Sequence, residues 1–396
     1  MQAEVNIGLL GHVDHGKTSI TRALSGVWTD TYSEELKRGI SIRIGYADTT
    51  FYKCSKCKKF GVKEKCCNEK AEKIRTVSFL DAPGHETLMT TAISASSIMD
   101  GVLLIIAANE NCPQPQTKEH IMVLHALGIE KIVVIQNKID LVAKEKAIEN
   151  YKQIKKFLDD FGFKNAPIIP VSANFETNIS ALIEAIEEYI PTPKRDDSLP
   201  VKMYIARSFD INKPSSKIDK LNGGIIGGSL IQGKIKIGDV LELSPGIKKS
   251  VDSEDTQTIK IKVESLFSGN APVKEVSPGG LIGLGTKLDP AITKGDRLIG
   301  NVLLEPGLIK EPKKIIKLSY QLFERTDFDN PGLKIGEPLV ISVGTATALG
   351  VISKVSGHDI ILSLKRSICV DETSKIAISR KVNQRWRLSG FGELNE

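Results

Sequence analysis

The run Gly11-His12-Val13-Asp14-His15-Gly16-Lys17-Thr18 constrains this chain more than any other feature, because it follows the apolar stretch Val5 to Leu10 and opens a helical segment at Ser19. A G-x-x-x-x-G-K-[ST] tract at a strand-to-helix junction folds as a loop whose backbone N–H groups wrap phosphates. The helix N-terminus faces the anion, Lys17 reaches the outer phosphates and the Thr18 hydroxyl coordinates Mg²⁺. Residues Asp14, His15, Gly16, Lys17, Thr18 and Ser19 are the expected nucleotide contacts. Further apolar runs, Thr76 to Leu80, Gly101 to Ala107, Lys131 to Gln136 and Pro167 to Val171, alternate with helical periods such as Ile148, Tyr151, Ile154, Leu158 and Phe161. That alternation predicts a parallel sheet covered by helices.

Length permits more than this one domain, since 396 residues at roughly 150 per domain leave room for two or three. Pro191 to Pro200 carries three prolines and four charges and reads as a linker. Beyond it, short β-rich runs with Gly-Asp, Pro-Gly and Gly-Gly turns (Met203 to Arg207, Ser229 to Ile237, Arg297 to Leu303 among them) predict a closed β-barrel. A second break from Glu305 to Pro312 precedes a further β set ending at Lys375 to Ser379, read as a second barrel. The expected plan is an α/β P-loop nucleotide domain over 1–195 with a Cys-rich insert at 53–75, then β-barrels over 196–308 and 309–396. No apolar run approaches the ~20 residues that span a bilayer, and no basic, apolar leader opens the chain. A soluble, cytoplasmic protein without membrane contact is expected.

The base is chosen by Asn137-Lys138-Ile139-Asp140, beyond the strand Lys131 to Gln136. The Asp140 carboxylate can accept both the N1–H and the 2-amino group of guanine, whereas adenine offers neither donor there. GTP and GDP are therefore favoured over adenine nucleotides. Asn137 would brace the loop, the Lys138 stem would cover the base, and Ser172-Ala173-Asn174 would supply an N–H to the guanine oxygen. Asp81 ends a strand in the position from which an acid holds the Mg²⁺ water shell, and Gly84 can turn its N–H onto the γ-phosphate. His85 follows within reach of an attacking water and is the candidate catalytic residue. Ser41 is a hydroxyl that could close the Mg²⁺ shell, with Thr49 and Thr50 as rivals.

Nine basic residues against three acids fall between Lys53 and Arg75, so this insert carries the entire +6 of the chain. Cys54, Cys57, Cys66 and Cys67 lie within it, and in a reducing compartment such a cluster reads as a metal site before it reads as disulfides. Cys112 and Cys369 stand alone and are expected to be small buried hydrophobes.

These boxes, in this order and ahead of two barrels, resemble the translational GTPases of the elongation factor Tu type. Trp28 to Gly39, the Cys-rich insert, Pro113-Gln114-Pro115-Gln116-Thr117, Gly223 to Ser229 and Arg385-Trp386-Arg387-Leu388 are similar to the gamma-subunit family of archaeal initiation factor two, from Val5 to Gly392. The resemblance implies a heterotrimer with alpha and beta subunits that carries methionyl initiator tRNA to the small ribosomal subunit and hydrolyses GTP there. It implies Mg²⁺ on Thr18 and Ser41, and a second Mg²⁺ held by Asp14 with the backbone of Gly39. Three features depart from the family pattern. Ser41 replaces a threonine, loops such as Arg325 to Lys334 are short, and the second Cys pair is adjacent, Cys66-Cys67. Neighbouring residues seldom present both thiolates to one tetrahedral ion, so Zn²⁺ on four cysteines stands beside a degenerate knuckle that has lost a ligand. The rival readings are an elongation factor Tu-like or selenocysteine-specific tRNA carrier and the GTPase subunit of ATP sulfurylase.

Overall fold

Strands covered on both faces read as continuous apolar runs rather than alternating ones, and β1 (Val5–Gly11) is buried along all seven residues. The computed structural model describes residues 2–29, 44–83, 85, 89–213, 221–250, 255–269, 271–308, 311–325, 327–371 and 374–395. Gly39, Ser41 and Gly84 lie outside the described residues. Two compact units are formed, one from Ala3–Pro193 and the other from Met1–Gln2 with Lys194–Glu396.

In the first unit, α1 (Lys17–Ser25) follows β1, and β2 (Gly45–Lys53) leads into β3 (Phe60–Gly61), β4 (Lys65–Cys66) and β5 (Glu69–Lys70). Next come β6 (Glu72–Asp81), α2 (Met89–Ser96), β7 (Gly101–Ala107), α3 (Pro115–Leu127), β8 (Ile132–Asn137), α4 (Lys144–Asp160), β9 (Ile168–Pro170) and α5 (Ile179–Tyr189). Seven strands pair in the order β3-β2-β6-β1-β7-β8-β9. The pairs β6-β1-β7-β8-β9 are parallel, whereas β2 runs antiparallel to β6. β6 starts four residues before the expected Thr76 because its first half pairs with β2 at the base of the Cys-rich insert. Ile7, Leu9, Phe79, Leu103, Ile105, Val133 and Ile135 join Leu182 and Ile186 of α5 in one core, all fully buried. In an open α/β sheet the ligand lies beyond the carboxyl ends of the strands. Gly11, Asp81 and Asn137 are the last residues of β1, β6 and β8, and the turn after β9 leads into Ser172.

The second unit opens with β10 (Lys202–Phe209), β11 (Ile225–Gln232), β12 (Ile235–Lys236), β13 (Val240–Lys248) and β14 (Thr256–Lys262). It continues with β15 (Ser265–Ser268), β16 (Ala271–Val273), β17 (Glu275–Val276), β18 (Leu281–Gly285) and β19 (Val302–Leu304). Eight of these pair in the order β14-β13-β19-β10-β11-β18-β15-β16, and β12 pairs with β17. Met203, Ile226, Leu243, Ile261, Leu266, Leu284 and Leu303, from seven of these strands, meet in one core, so the sheet folds around it. The expected strand from Arg297 to Leu303 is a correction: helical turns occupy Pro290–Thr293 and Lys294–Asp296, and the strand is Val302–Leu304. Asp296 takes φ 63° there and its carboxylate accepts from the Ser208 N–H at 2.9 Å and Arg207 Nε at 3.0 Å. A side chain thus satisfies the β10 donor that a neighbouring strand would have paired.

The last six strands, β20 (Lys313–Leu322), β21 (Pro338–Val343), β22 (Ala346–Ser356), β23 (Asp359–Ile368), β24 (Lys375–Val382) and β25 (Arg385–Leu394), form a closed barrel ordered β20-β23-β22-β21-β24-β25. β25 was not among the expected strands, since Arg385 to Gly392 is polar and glycine-rich. A two-residue turn at Asn383 and Gln384, both at positive φ, folds it back on β24, and pairing with β20 closes the ring.

Candidate functional site

A loop that must bend backwards around phosphates needs left-handed backbone, and Gly16 provides it at φ 93° before α1. A Cβ at Gly16 would stand 2.4 Å from Asn137 Nδ2. The closeness is functional geometry: Asn137 Nδ2 donates to the His15 carbonyl at 3.0 Å, while its Oδ1 accepts from the Ala173 N–H at 3.2 Å. One amide therefore ties the phosphate loop, the end of β8 and the Ser172-Ala173-Asn174 turn together. Lys138 takes φ 62° and sends Asp140, exposed, into a 3-10 turn over Ile139–Leu141. Ser172 is buried and its Oγ has no hydrogen-bond partner among the described residues.

Beneath the loop, buried Lys17 donates to the carbonyls of Gly11 at 3.1 Å and His12 at 2.8 Å. Thr18 Oγ1 donates to Asp81 Oδ2 at 2.8 Å, and Thr29 Oγ1 donates to the same oxygen at 2.7 Å. A hydroxyl beside a buried carboxylate is the hard-oxygen donor set that suits Mg²⁺. Thr49 and Thr50 stand elsewhere. Gly45 is the β2 residue opposite Asp81, so Thr49 lies about 13 Å further along the strand, and Thr50 pairs with Thr76 at 3.0 Å. Thr29 was not singled out as a hydroxyl ligand, because nothing local in the sequence places it against an acid 52 residues away. Asp14 is exposed at φ 60° on the loop, Ser19 is half-buried in the first turn of α1, and His85 is half-buried in the segment after Asp81.

A group of histidines behind the loop was also missed. His120, on α3 and fully buried, accepts the Gly11 N–H through Nδ1 at 2.9 Å, which leaves its proton on Nε2. Burial, then the charges of Lys17, His12 and His15, lower its pKa to about 3. Burial also lowers His12 and His15, the latter held by the Ile105 carbonyl at 3.1 Å and Glu110 at 3.3 Å. A folded-state pKa below the unfolded 6.5 means that acid protonates the unfolded chain first. Stability from His120 is thus complete above pH 6.5 and is lost progressively toward pH 3, at about 1.4 kcal/mol per pH unit. Urea unfolding at pH 7.5 and pH 5 should show a smaller loss in His120→Asn, whose Oδ1 can still accept the Gly11 N–H; equal losses in parent and variant would refute this.

The Cys-rich insert gathers its adjacent cysteines with the other two. Cys54, Cys57, Cys66 and Cys67 place their sulfurs within 4.8 Å of one another. Cys66 ends β4, and the β4–β5 hairpin turns through Cys67 at φ 53° and Asn68 at φ 63°. In an extended chain successive side chains point to opposite faces; the left-handed conformation of Cys67 breaks that alternation and brings its thiol beside that of Cys66, at 3.8 Å. The Cys57–Cys66 separation is 3.6 Å, and a Zn²⁺ tetrahedron with bonds of about 2.3 Å has edges of about 3.8 Å. The Cys57 N–H, 3.5 Å from Cys54 Sγ, holds that thiol down to about 6, whereas hydrogen bonding with Cys54 pushes Cys66 up to about 12. Four thiols this close ionise together only around a cation. Cys112 and Cys369 are half-buried and separate from this group.

The sequence profile of the elongation factor Tu GTP binding domain matches residues 2–192, and that of initiation factor eIF2 gamma, C terminal, matches residues 314–394. The chain is 53% identical to translation initiation factor 2 subunit gamma of Methanococcus maripaludis, over 99% of this chain and 98% of that one. Identity to the subunit of the same name is 51% in Methanothermobacter thermautotrophicus (99% and 98% covered) and 48% in Pyrococcus furiosus (100% and 98%). Among solved structures, a bacterial selenocysteine-specific elongation factor EF-Sec superposes with a TM-score of 0.77 at 23% identity, covering 99% of this chain and 58% of that one. Elongation factor SelB of Methanococcus maripaludis, in complex with the GTP analogue GppNHp, does so at 0.75 and 21%, covering 100% and 79%. These two share the fold.

Proposed function

Because the chain belongs to the family of archaeal translation initiation factor 2 subunit gamma, a GTP-dependent initiation factor subunit and translational GTPase, we propose that its GTP state binds methionyl initiator tRNA and delivers it to the small ribosomal subunit. Alpha and beta subunits complete the factor, and the work is cytoplasmic. No described helix is long and apolar enough to cross a membrane. The observation that carries this reading is the two-sided bond of Asn137, which supports one guanine-nucleotide pocket built from segments far apart in sequence. Two features favour it over an elongation factor Tu-like carrier, a selenocysteine-specific carrier or a sulfurylase GTPase subunit. One is the C-terminal match over 314–394; the other is identity near one half along almost the whole chain.

In the proposed site the N–H groups from Asp14 to Ser19 face the phosphates, and Lys17 leaves the carbonyls of Gly11 and His12 for the outer phosphate oxygens. Asp140 accepts the two guanine donors, Lys138 covers the base and Ala173 donates to its oxygen. Mg²⁺ fits the Thr18 and Asp81 oxygens, with Ser41 completing the set and Asp14 with the Gly39 backbone holding a second ion; when bound it would neutralise phosphate charge. Gly84 senses the γ-phosphate and His85 orients the attacking water, so that the protein contributes mainly position and electrostatics. Hydrolysis removes the γ-phosphate contact and with it the closed switch that holds tRNA. The affinity for methionyl initiator tRNA with GTP or GDP bound tests this reading.

The four sulfurs fit Zn²⁺, held for structural purposes by Cys54, Cys57, Cys66 and Cys67. Metal analysis of the chain purified under reducing conditions should give about one Zn²⁺, lost in Cys54→Ser and in Cys67→Ser alike. Full retention in Cys67→Ser would show that three cysteines suffice and the adjacent thiol is idle.

A further inference from the structure

All of the chain's net charge lies between Lys53 and Arg75, and the knuckle displays most of its lysines outward. Lys56, Lys58, Lys59, Lys63 and Lys65 are exposed and have no ion-pair partner among the described residues. Lys70 pairs with Glu64 at 3.1 Å, yet it also sits directly opposite Lys65 across the β4–β5 ladder. Like charges in that position cost stability, a cost that an anion laid across the pair would reverse. The mount is rigid. The Phe60 N–H donates to Ser180 Oγ on α5 at 3.0 Å, and buried Arg75 donates to Glu187 at 2.8 Å, to Thr192 at 2.9 Å and to the Ile190 carbonyl at 2.8 Å.

We infer that this knuckle is an RNA-binding surface that takes the phosphodiester backbone, independent of base sequence and of the bound nucleotide. Phosphate is favoured over a protein partner because interfaces between proteins centre on apolar or aromatic anchors. None of the large apolar side chains exposed among the described residues belongs to 54–75. Ammonium groups without such anchors provide the sequence-independent part of nucleic-acid affinity. Independence from the nucleotide follows from topology. The insert leaves the sheet where Lys53 pairs with Glu72, at the opposite end of β6 from Asp81 and about 30 Å away along the strand. Among the described residues, none of the proposed nucleotide contacts lies at that end of β6. A contact there goes beyond the GTP-dependent carriage of tRNA proposed above and would hold the factor on RNA in both nucleotide states.

The test uses the full chain and a 20-base-pair RNA hairpin lacking every feature of an initiator tRNA, with binding measured in GTP-analogue and GDP forms over a range of KCl. Substituting Gln at Lys56, Lys58, Lys59 and Lys63 should weaken the hairpin about tenfold or more in both forms and lower the slope of log K against log salt by about 3. Arg at the same four positions should restore both, and GTP affinity should stay constant throughout. Acetylation footprinting of the unmutated chain, which needs no variant to fold, should show these lysines protected by the hairpin while Lys152 on α4 is not. Unchanged affinity and slope, a loss confined to the GTP form, or absence of protection would each overturn the inference. None of them would touch the nucleotide-dependent binding of initiator tRNA.

Discussion

Replacing His85 with Ala should slow stimulated GTP hydrolysis by about 10²-fold or more while GTP affinity stays nearly constant. A residue that only orients the attacking water contributes in the transition state and little to ground-state binding. Half-buried His85 lies just past Asp81, at the end of β6 where the proposed site would hold the γ-phosphate. GTPases of this type are slow until a partner completes the site, so the loss should be seen with the small ribosomal subunit and the stimulating factor present, and the intrinsic rate should barely move. Single-turnover phosphate release from the assembled complex measures it. Release as fast as in the parent would make His85 a bystander; collapse of tRNA affinity with a non-hydrolysable GTP analogue would make it part of the switch.

Asp140→Asn should exchange guanine for xanthine. In the proposed site the carboxylate would accept two donors from guanine, and the amide substitutes a donor for one acceptor, so that N–H faces N–H. Xanthine carries an oxygen where guanine carries the 2-amino group, and the same amide then donates to that oxygen and accepts from N1–H. The expected loss of GTP affinity is about 10²-fold, with a comparable gain for XTP. Because Asp140 is exposed on its 3-10 turn and makes no core contact, the substitution should leave the fold intact. Competition titrations with GTP and XTP against a labelled nucleotide would show it, and equal GTP affinity in parent and variant would refute the role of Asp140.

The parts of the site that could be read from sequence are those in which a short motif dictates its own backbone. Gly16 and Lys17 sit as the phosphate-loop pattern requires, and Asn137 reaches the loop because strand order in a parallel sheet brings the ends of β1 and β8 to one edge. What could not be read depends on pairs distant in sequence. His120 meets Gly11 across 109 residues and Thr29 meets Asp81 across 52. Nothing in the local sequence of α3 or of the Trp28-Thr29 segment marks either. The Cys66-Cys67 pair left two readings open for a different reason: neighbouring residues seldom present both thiolates to one ion, and nothing in the sequence marks the left-handed turn at Cys67, φ 53°, that brings them together. In the barrels, polar Arg385 to Gly392 is a strand because ring closure gives it two neighbours, whereas apolar Arg297 to Leu303 bends because Asp296 has already paired the β10 donor.

In the proposed function the γ-phosphate, bound at the ends of β1, β6 and β8, sets the affinity for initiator tRNA. Filter binding of labelled methionyl initiator tRNA and of a charged elongator tRNA, with a non-hydrolysable GTP analogue and with GDP, tests it most directly. Initiator tRNA should bind about tenfold or more tightly in the GTP-analogue form than with GDP, and elongator tRNA should be retained in neither. Equal retention of initiator tRNA with both nucleotides, or equal retention of the two tRNAs, would contradict it.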